Sequence, residues 1–209
     1  MTKLLDEAQT AEPKRRAGAA IVLDLRPVVS LSDEQFYELC RANTELRIER
    51  TAEGEMSIMA PTGGETSRRN AQLIAQLVVW ANQDRTGVSF DSSGGFLLPN
   101  GSVRSPDAAW VRLDRWQALA EQQKDKFISL CPDFVVELRS ATDSLAELQS
   151  KMNEYVAGGA RLGWLIDPQG RRVHVYRAQA QEAEVLEDPE SLSGEPVLKG
   201  FVLRLQEIW

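Results

Sequence analysis

Cys131-Pro132-Asp133-Phe134-Val135-Val136-Glu137-Leu138-Arg139-Ser140 reads as a short buried strand with one acid out of place. Side chains alternate along a strand. Phe134, Val136, Leu138 and Ser140 therefore share one face, which packs into a core. Asp133, Val135, Glu137 and Arg139 share the other, where Glu137 stands in place of a valine or isoleucine. A buried carboxylate is costly unless something compensates it. Asp133 is not its partner in holding a cation: four residues at roughly 3.3 Å each put the two acids about 13 Å apart. Asp133 reads instead as a strand-start or turn residue. The partner comes from elsewhere, and Asp107 in Ser105-Pro106-Asp107-Ala108-Ala109-Trp110-Val111 is the best match, an acid after proline on another apolar segment. Magnesium takes one or two carboxylates, several waters and phosphate oxygens. Lys151, about two turns into the next helix, is placed to fold back over such a site and orient water or stabilise developing negative charge. Two acids and a lysine are the minimum kit of a magnesium-dependent phosphodiesterase.

Composition narrows the chemistry further. The chain has 209 residues, 43% of them hydrophobic and 26% charged, enough for one well-buried α/β core. One histidine, His174, and two cysteines, Cys40 and Cys131, without metal-like spacing argue against a zinc site or a histidine-based triad. No apolar run approaches the roughly 20 residues of a membrane helix. The polar start, with Pro13-Lys14-Arg15-Arg16, lacks a secretory h-region. The expectation is a cytoplasmic protein without membrane partners. A net charge of −7 argues against coating nucleic acid, yet leaves room for a nuclease with a local basic cleft. Arg68, Arg69, Arg104, Arg139, Arg171 and Arg172 are candidates for that cleft or, singly, solvated surface charges.

Residues 1–25 read as a disordered or extended tail, and 26–209 as a single domain. Ser32-Asp33-Glu34-Gln35 is a capping box that starts a first helix. Residues 45–50 and 55–60 form a hairpin about Glu53-Gly54. Leu73, Ile74, Leu77, Val78 and Trp80 keep helical spacing in a long helix over 65–84. Three short strands are expected in 88–111, then a polar helical stretch over 114–124. Ser144-Leu145-Ala146-Glu147 and Gly158-Gly159 bracket the helix that carries Lys151. Strands follow at 162–167 and 172–177, with weaker ones near 184–186 and 201–205. The order implies a mixed β-sheet flanked by helices around a strand–helix–strand unit at 133–167, with additional antiparallel strands near the N-terminus.

Each site residue has a plainer reading beside the functional one. Lys151 forms an i,i+4 pair with Glu147, a common surface decoration. Glu137 pairs with Arg139 or another arginine as a structural ion pair. Asp107 serves as a capping or turn acid.

Several pieces in this order and spacing resemble the Uma-two family of restriction-endonuclease-like proteins, in the PD-(D/E)xK nuclease superfamily. They are Pro61-Thr62-Gly63-Gly64-Glu65-Thr66, Gly95-Phe96-Leu97-Leu98-Pro99-Asn100-Gly101 running into Arg104-Ser105-Pro106-Asp107, and Pro132-Asp133 leading to Glu137. Lys151 with Tyr155, and Gly158-Gly159 before Trp164-Leu165-Ile166-Asp167-Pro168, complete them. The resemblance spans about residues 28–175. It implies a restriction-endonuclease-like α/β fold, with Asp107 as the motif aspartate and Glu137 as the motif acid. The superfamily's usual lysine falls at Arg139, which stays protonated and cannot act as a base. The family's lysine looks to have migrated to the following helix, at Lys151. Glu65 resembles an additional acid that assists the metal site. Glu147 stands where the family often has aspartate, and Thr66 where many members have histidine.

The expectation is a DNA endonuclease dependent on Mg²⁺ or Mn²⁺, acting as a homodimer, with Asp107 and Glu137 on the metal, Lys151 assisting and Glu65 behind them. Two readings from other classes stand beside it: a nuclease fold kept as a nucleic-acid or protein-binding module without turnover, and a structural dimer whose acids are tied up in ion pairs.

Overall fold

The computed structural model describes residues 21–209; of the tail expected over residues 1–25, residues 1–20 lie outside the described residues. In chain order the elements are β1 Ile21–Leu23, α1 Asp33–Ala42, β2 Arg47–Arg50, β3 Met56–Met59, α2 Gly64–Asp84, β4 Gly87–Asp91, β5 Phe96–Leu97, β6 Val103–Arg104 and β7 Ala108–Arg112. There follow α3 Leu113–Gln117, α4 Glu121–Lys124, β8 Phe134–Leu138, α5 Leu145–Gly158, β9 Leu162–Asp167, β10 Arg172–Arg177, β11 Glu184–Glu187, β12 Ser191–Ser193 and β13 Val202–Arg204.

The main sheet runs β11-β10-β9-β8-β7-β4. Only β8 and β9 in it pair parallel, joined by α5 as a crossover; the other pairs are antiparallel. A smaller antiparallel sheet, β1-β3-β2-β6-β5, is built from the N-terminal strands. Residues 21–23 are extended and pair with β3 as its edge.

β8 is buried at every position, so both of its faces meet protein. Phe134, Val136 and Leu138 join Leu73 and Leu77 of α2 and Phe201 and Leu203 near the C-terminus. Trp164 of β9 packs edge-on against Phe134 at 4.8 Å and stacks on Phe201 at 5.9 Å. Replacing a buried aromatic such as Trp164 by alanine costs about 3–5 kcal/mol, mostly through the cavity left behind. On the opposite face Val135 packs with Met152 and Tyr155 of α5.

The local signals account for most elements. Ser32 and Gln35 complete a reciprocal capping box on α1. Ser144 caps α5 by accepting from the Glu147 backbone N–H, and Gly159 ends that helix at φ 112°, a left-handed conformation that glycine adopts without steric cost. Gly163 sets how closely α5 lies on the sheet: a Cβ there would meet Met152 Cε at 2.4 Å. Met152 neighbours Lys151, so this close approach also fixes the height of the lysine above β8.

Three expectations are corrected. The 88–111 region holds four strands, because Phe96–Leu97 and Val103–Arg104 form a separate ribbon in the small sheet. The polar stretch after β7 breaks into two short helices, α3 and α4, with Ala118 capping the first. Near the C-terminus β12 pairs with β13; its single buried side chain, Leu192, gives too little alternation to be read from sequence.

Candidate functional site

Antiparallel pairing sets Ala108 of β7 opposite Val136 of β8, which brings the next residues along, Asp107 and Glu137, to neighbouring strand ends. Asp107 Oδ2 accepts the Leu138 backbone N–H at 2.8 Å, so the acid is tied to the strand that carries Glu137. Glu137 Oε1 lies 2.9 Å from Lys151 Nζ and accepts the Tyr155 hydroxyl proton at 2.9 Å. Lys151 and Tyr155 are one turn apart on α5, the spacing at which two side chains reach the same point. Lys151 thus turns inward, and the surface-pair reading with Glu147 does not describe it.

Lys151 also meets Glu49 of β2, again at 2.9 Å. Glu49 Oε1 accepts the Ser105 backbone N–H at 3.0 Å, and its Oε2 lies 3.4 Å from Arg104. Arg104 binds Glu154 of α5 at 2.6 Å. Arg47, two residues before Glu49, donates to the Ser105 carbonyl and stands 3.8 Å from Asp107 Oδ1. Asn70 of α2 donates to the same Oδ1 at 3.4 Å. The small sheet, β7, β8, α2 and α5 all contribute to this cluster.

Its members differ in how well their charge is supported. Burial disfavours the Glu49 carboxylate, but Lys151, Arg104 and Arg47 outweigh that and hold it below the usual range. Burial pushes Glu137 up to about 7; Lys151 pulls it down, while Asp107 and Glu49 push it up. Burial also raises Asp107, against the pull of Arg47 and the Leu138 N–H. Burial works against the Lys151 ammonium, yet Glu137 and Glu49 more than restore it, so its pKa lies above the ordinary value. Lys151 is therefore a fixed cation. Asp107 and Glu137 are carboxyl groups whose charged form the protein supports incompletely.

These two acids offer only oxygen donors, which suits a hard cation such as Mg²⁺ or Mn²⁺. Among the described residues no three His, Cys, Asp or Glu side chains form a ready-made metal cage. Asn70 adds an acceptor, since its buried Oδ1 has no partner among the described residues.

Asp107, Glu137 and Lys151 are thus brought together, and Glu65 is not. Its side chain is 68% exposed on the first turn of α2, paired with Arg68 at 3.2 Å and Arg69 at 3.8 Å. Arg139, where the resemblance would put a lysine, spends its guanidinium on Asp167 at 2.9 Å and on the Asp143 carbonyl. Of the arginines considered for a cleft, Arg104 is inside the cluster, while Arg171 and Arg172 pair with Asp188 and Glu187 on the surface. Glu49 and Arg47 were not legible as site residues, whereas Arg104 is a candidate for the basic cleft from sequence. Arg47-Ile48-Glu49-Arg50 looks like a polar hairpin strand, and its one signal is an acid flanked by basic residues.

The architecture and this cluster define a protein of restriction-endonuclease-like α/β build, with an acid–lysine centre at the ends of adjacent strands. The chain belongs to the Uma2 family, described as "Putative restriction endonuclease", whose model matches residues 33–206. Its fold is similar to the crystal structure of "a putative nuclease belonging to DUF820" from Anabaena variabilis ATCC 29413. The TM-score is 0.69 at 22% identity, over 85% of this chain and 97% of that one. No curated protein matches the chain. No helix among the described residues is long and apolar enough to cross a membrane.

Proposed function

We propose that the protein is a DNA endonuclease that hydrolyses phosphodiester bonds with Mg²⁺ or Mn²⁺ held by Asp107 and Glu137. The observation that carries this reading is the Lys151 ammonium, 2.9 Å from Glu137, beside an Asp107 tied to the same strand at 2.8 Å. When bound, the cation supplies Lewis-acid stabilisation of charge on the phosphate and lowers the pKa of water.

The chain's own residues prepare that chemistry. The Leu138 N–H and Asn70 orient Asp107. Tyr155 and Lys151 fix Glu137 Oε1. Lys151 stays protonated, so its role is to stabilise negative charge building on the phosphate rather than to accept a proton. Glu49 aims Lys151 and takes the second-tier place that the resemblance gave to Glu65. A homodimer would supply two such centres, one for each strand of a duplex.

A second reading, a binding module without turnover, has one observation in its favour: Lys151 and Arg104 already neutralise much of the cluster from within. Incubating supercoiled plasmid with Mg²⁺, Mn²⁺ or EDTA separates the two. Metal-dependent nicking by the wild type, lost in Asp107→Ala and Lys151→Ala, is the expected result. A folded wild type that neither nicks nor binds Mn²⁺ would turn the assignment to the binding module.

A further inference from the structure

We propose that Arg47 is the residue that grips the phosphate being cleaved, an inference that rests on the nuclease reading above. Arg47 is the open member of an otherwise closed cluster. Its side chain is 31% exposed, against 12% for both Asp107 and Lys151.

Its bonding is incomplete in an informative way. One terminal nitrogen is pinned by the Ser105 carbonyl, two residues before Asp107, so the guanidinium is registered against the metal-site acid through the backbone. The other stands 3.8 Å from Asp107 Oδ1, beyond hydrogen-bond reach. Nε is buried and has no partner among the described residues. Arg104 shows what a structural arginine looks like in the same cluster, engaged by Glu154 at 2.6 Å and by Glu49 at 3.4 Å. Arg47 is bonded less completely, and the terminal nitrogen near Asp107 is the one left for a new partner.

Guanidinium presents its N–H groups as a rigid planar fork that matches phosphate oxygens, and it stays charged at any working pH. Arg47 would be repelled by a cation held at Asp107, and its hold there is already loose at 3.8 Å. The incoming phosphodiester offers the replacement anion. Arg47 then acts on the phosphate from the mouth of the site while Lys151 acts from its floor, and the two cations differ in what they read: a fork needs oriented oxygens, a point charge does not.

The test compares wild type with Arg47→Ala and Arg47→Lys in four measurements: thermal melting, Mn²⁺ binding by calorimetry, duplex binding in EDTA by fluorescence anisotropy, and plasmid nicking in Mn²⁺. Both variants are expected to fold and to bind Mn²⁺ at least as tightly as wild type, since a positive charge beside Asp107 is gone or moved. Nicking should fall about 100-fold in both, as for loss of one transition-state donor. Duplex affinity of Arg47→Ala in EDTA should weaken, with a salt dependence shallower by about one phosphate contact. Added guanidinium should partly restore nicking to Arg47→Ala and not to Arg47→Lys. Wild-type nicking and duplex binding by Arg47→Ala would overturn the inference alone. Loss of Mn²⁺ binding together with activity in both variants would overturn it in favour of a structural role. A wild type that neither binds Mn²⁺ nor nicks would overturn the nuclease reading, and this inference with it.

Discussion

At the start of β8, Asp133 is buried and well supported: its Oδ2 accepts the Arg112 backbone N–H at 3.0 Å and lies 2.9 Å from the Arg115 guanidinium. Near the end of the same strand, Glu137 is equally buried, but its lysine is shared with Glu49 and another acid, Asp107, stands beside it. One acid has a cation of its own and a backbone donor; the other is crowded by like charge. A protein selecting for stability alone would finish both in the first manner. On the nuclease reading proposed above, the contrast separates a carboxylate that builds the fold from one held ready for chemistry.

The sharpest way to break the contrast is to neutralise each acid in turn. Glu137→Gln, like Asp107→Asn, should lower metal-dependent nicking about a thousandfold, several kcal/mol of transition-state stabilisation, without lowering the melting temperature. Activity rates with parallel melting curves check this, and equal losses of activity and stability would place Glu137 with Asp133. Asp133→Ala should do the reverse. It strips a charge-assisted pair and leaves the Arg112 N–H unmatched, costing about 2 kcal/mol, readable by urea unfolding, while activity per folded molecule stays near wild type.

Glu137 should also mark itself through pH, in EDTA. Its folded pKa is raised to about 7 from an ordinary 4.5. A raised carboxyl contributes stability that is fully present below its unfolded pKa and is lost as pH rises through its folded one. Wild type should therefore lose stability across that window relative to Glu137→Gln, and the gap should close at the acid end. Melting curves over pH read this directly, and curves that run parallel would contradict the crowding. The smallest expected effect is Tyr155→Phe, which removes one donor from Glu137 Oε1: about tenfold less nicking and about 1 kcal/mol less stability.

The same strand shows how far a sequence reading carries. β8 was legible as a short buried strand, since an apolar run bounded by proline and polar residues is a local pattern. α5 was legible from its cap and its double glycine, and β9 and β10 from the turn between them. The ribbon of β5 and β6 was not, because two-residue strands carry no periodicity. Asp107, Glu137 and Lys151 were found because each is a local oddity or a match to a family pattern. Glu49 was missed for the opposite reason: a charged residue in a charged strand looks solvated until something covers it.

The sequence by itself determined the strand–helix–strand unit and the presence of acids in apolar strands, because periodicity, capping and turn chemistry act over a few residues. Only the tertiary structure decided which charges meet. Glu49 and Lys151 are 102 residues apart in the chain, and Arg47 and Ser105 are 58. The small sheet must close over the ends of β7 and β8 before Lys151 has two acids to bridge, and before Arg47 reaches the Ser105 carbonyl. Glu65 leads a helix whose later turns pack on the main sheet, and its own turn faces solvent. No local pattern distinguishes a lysine that will be buried between two carboxylates from one that will be dissolved in water, because the energy deciding it comes from burial and from partners supplied by distant segments.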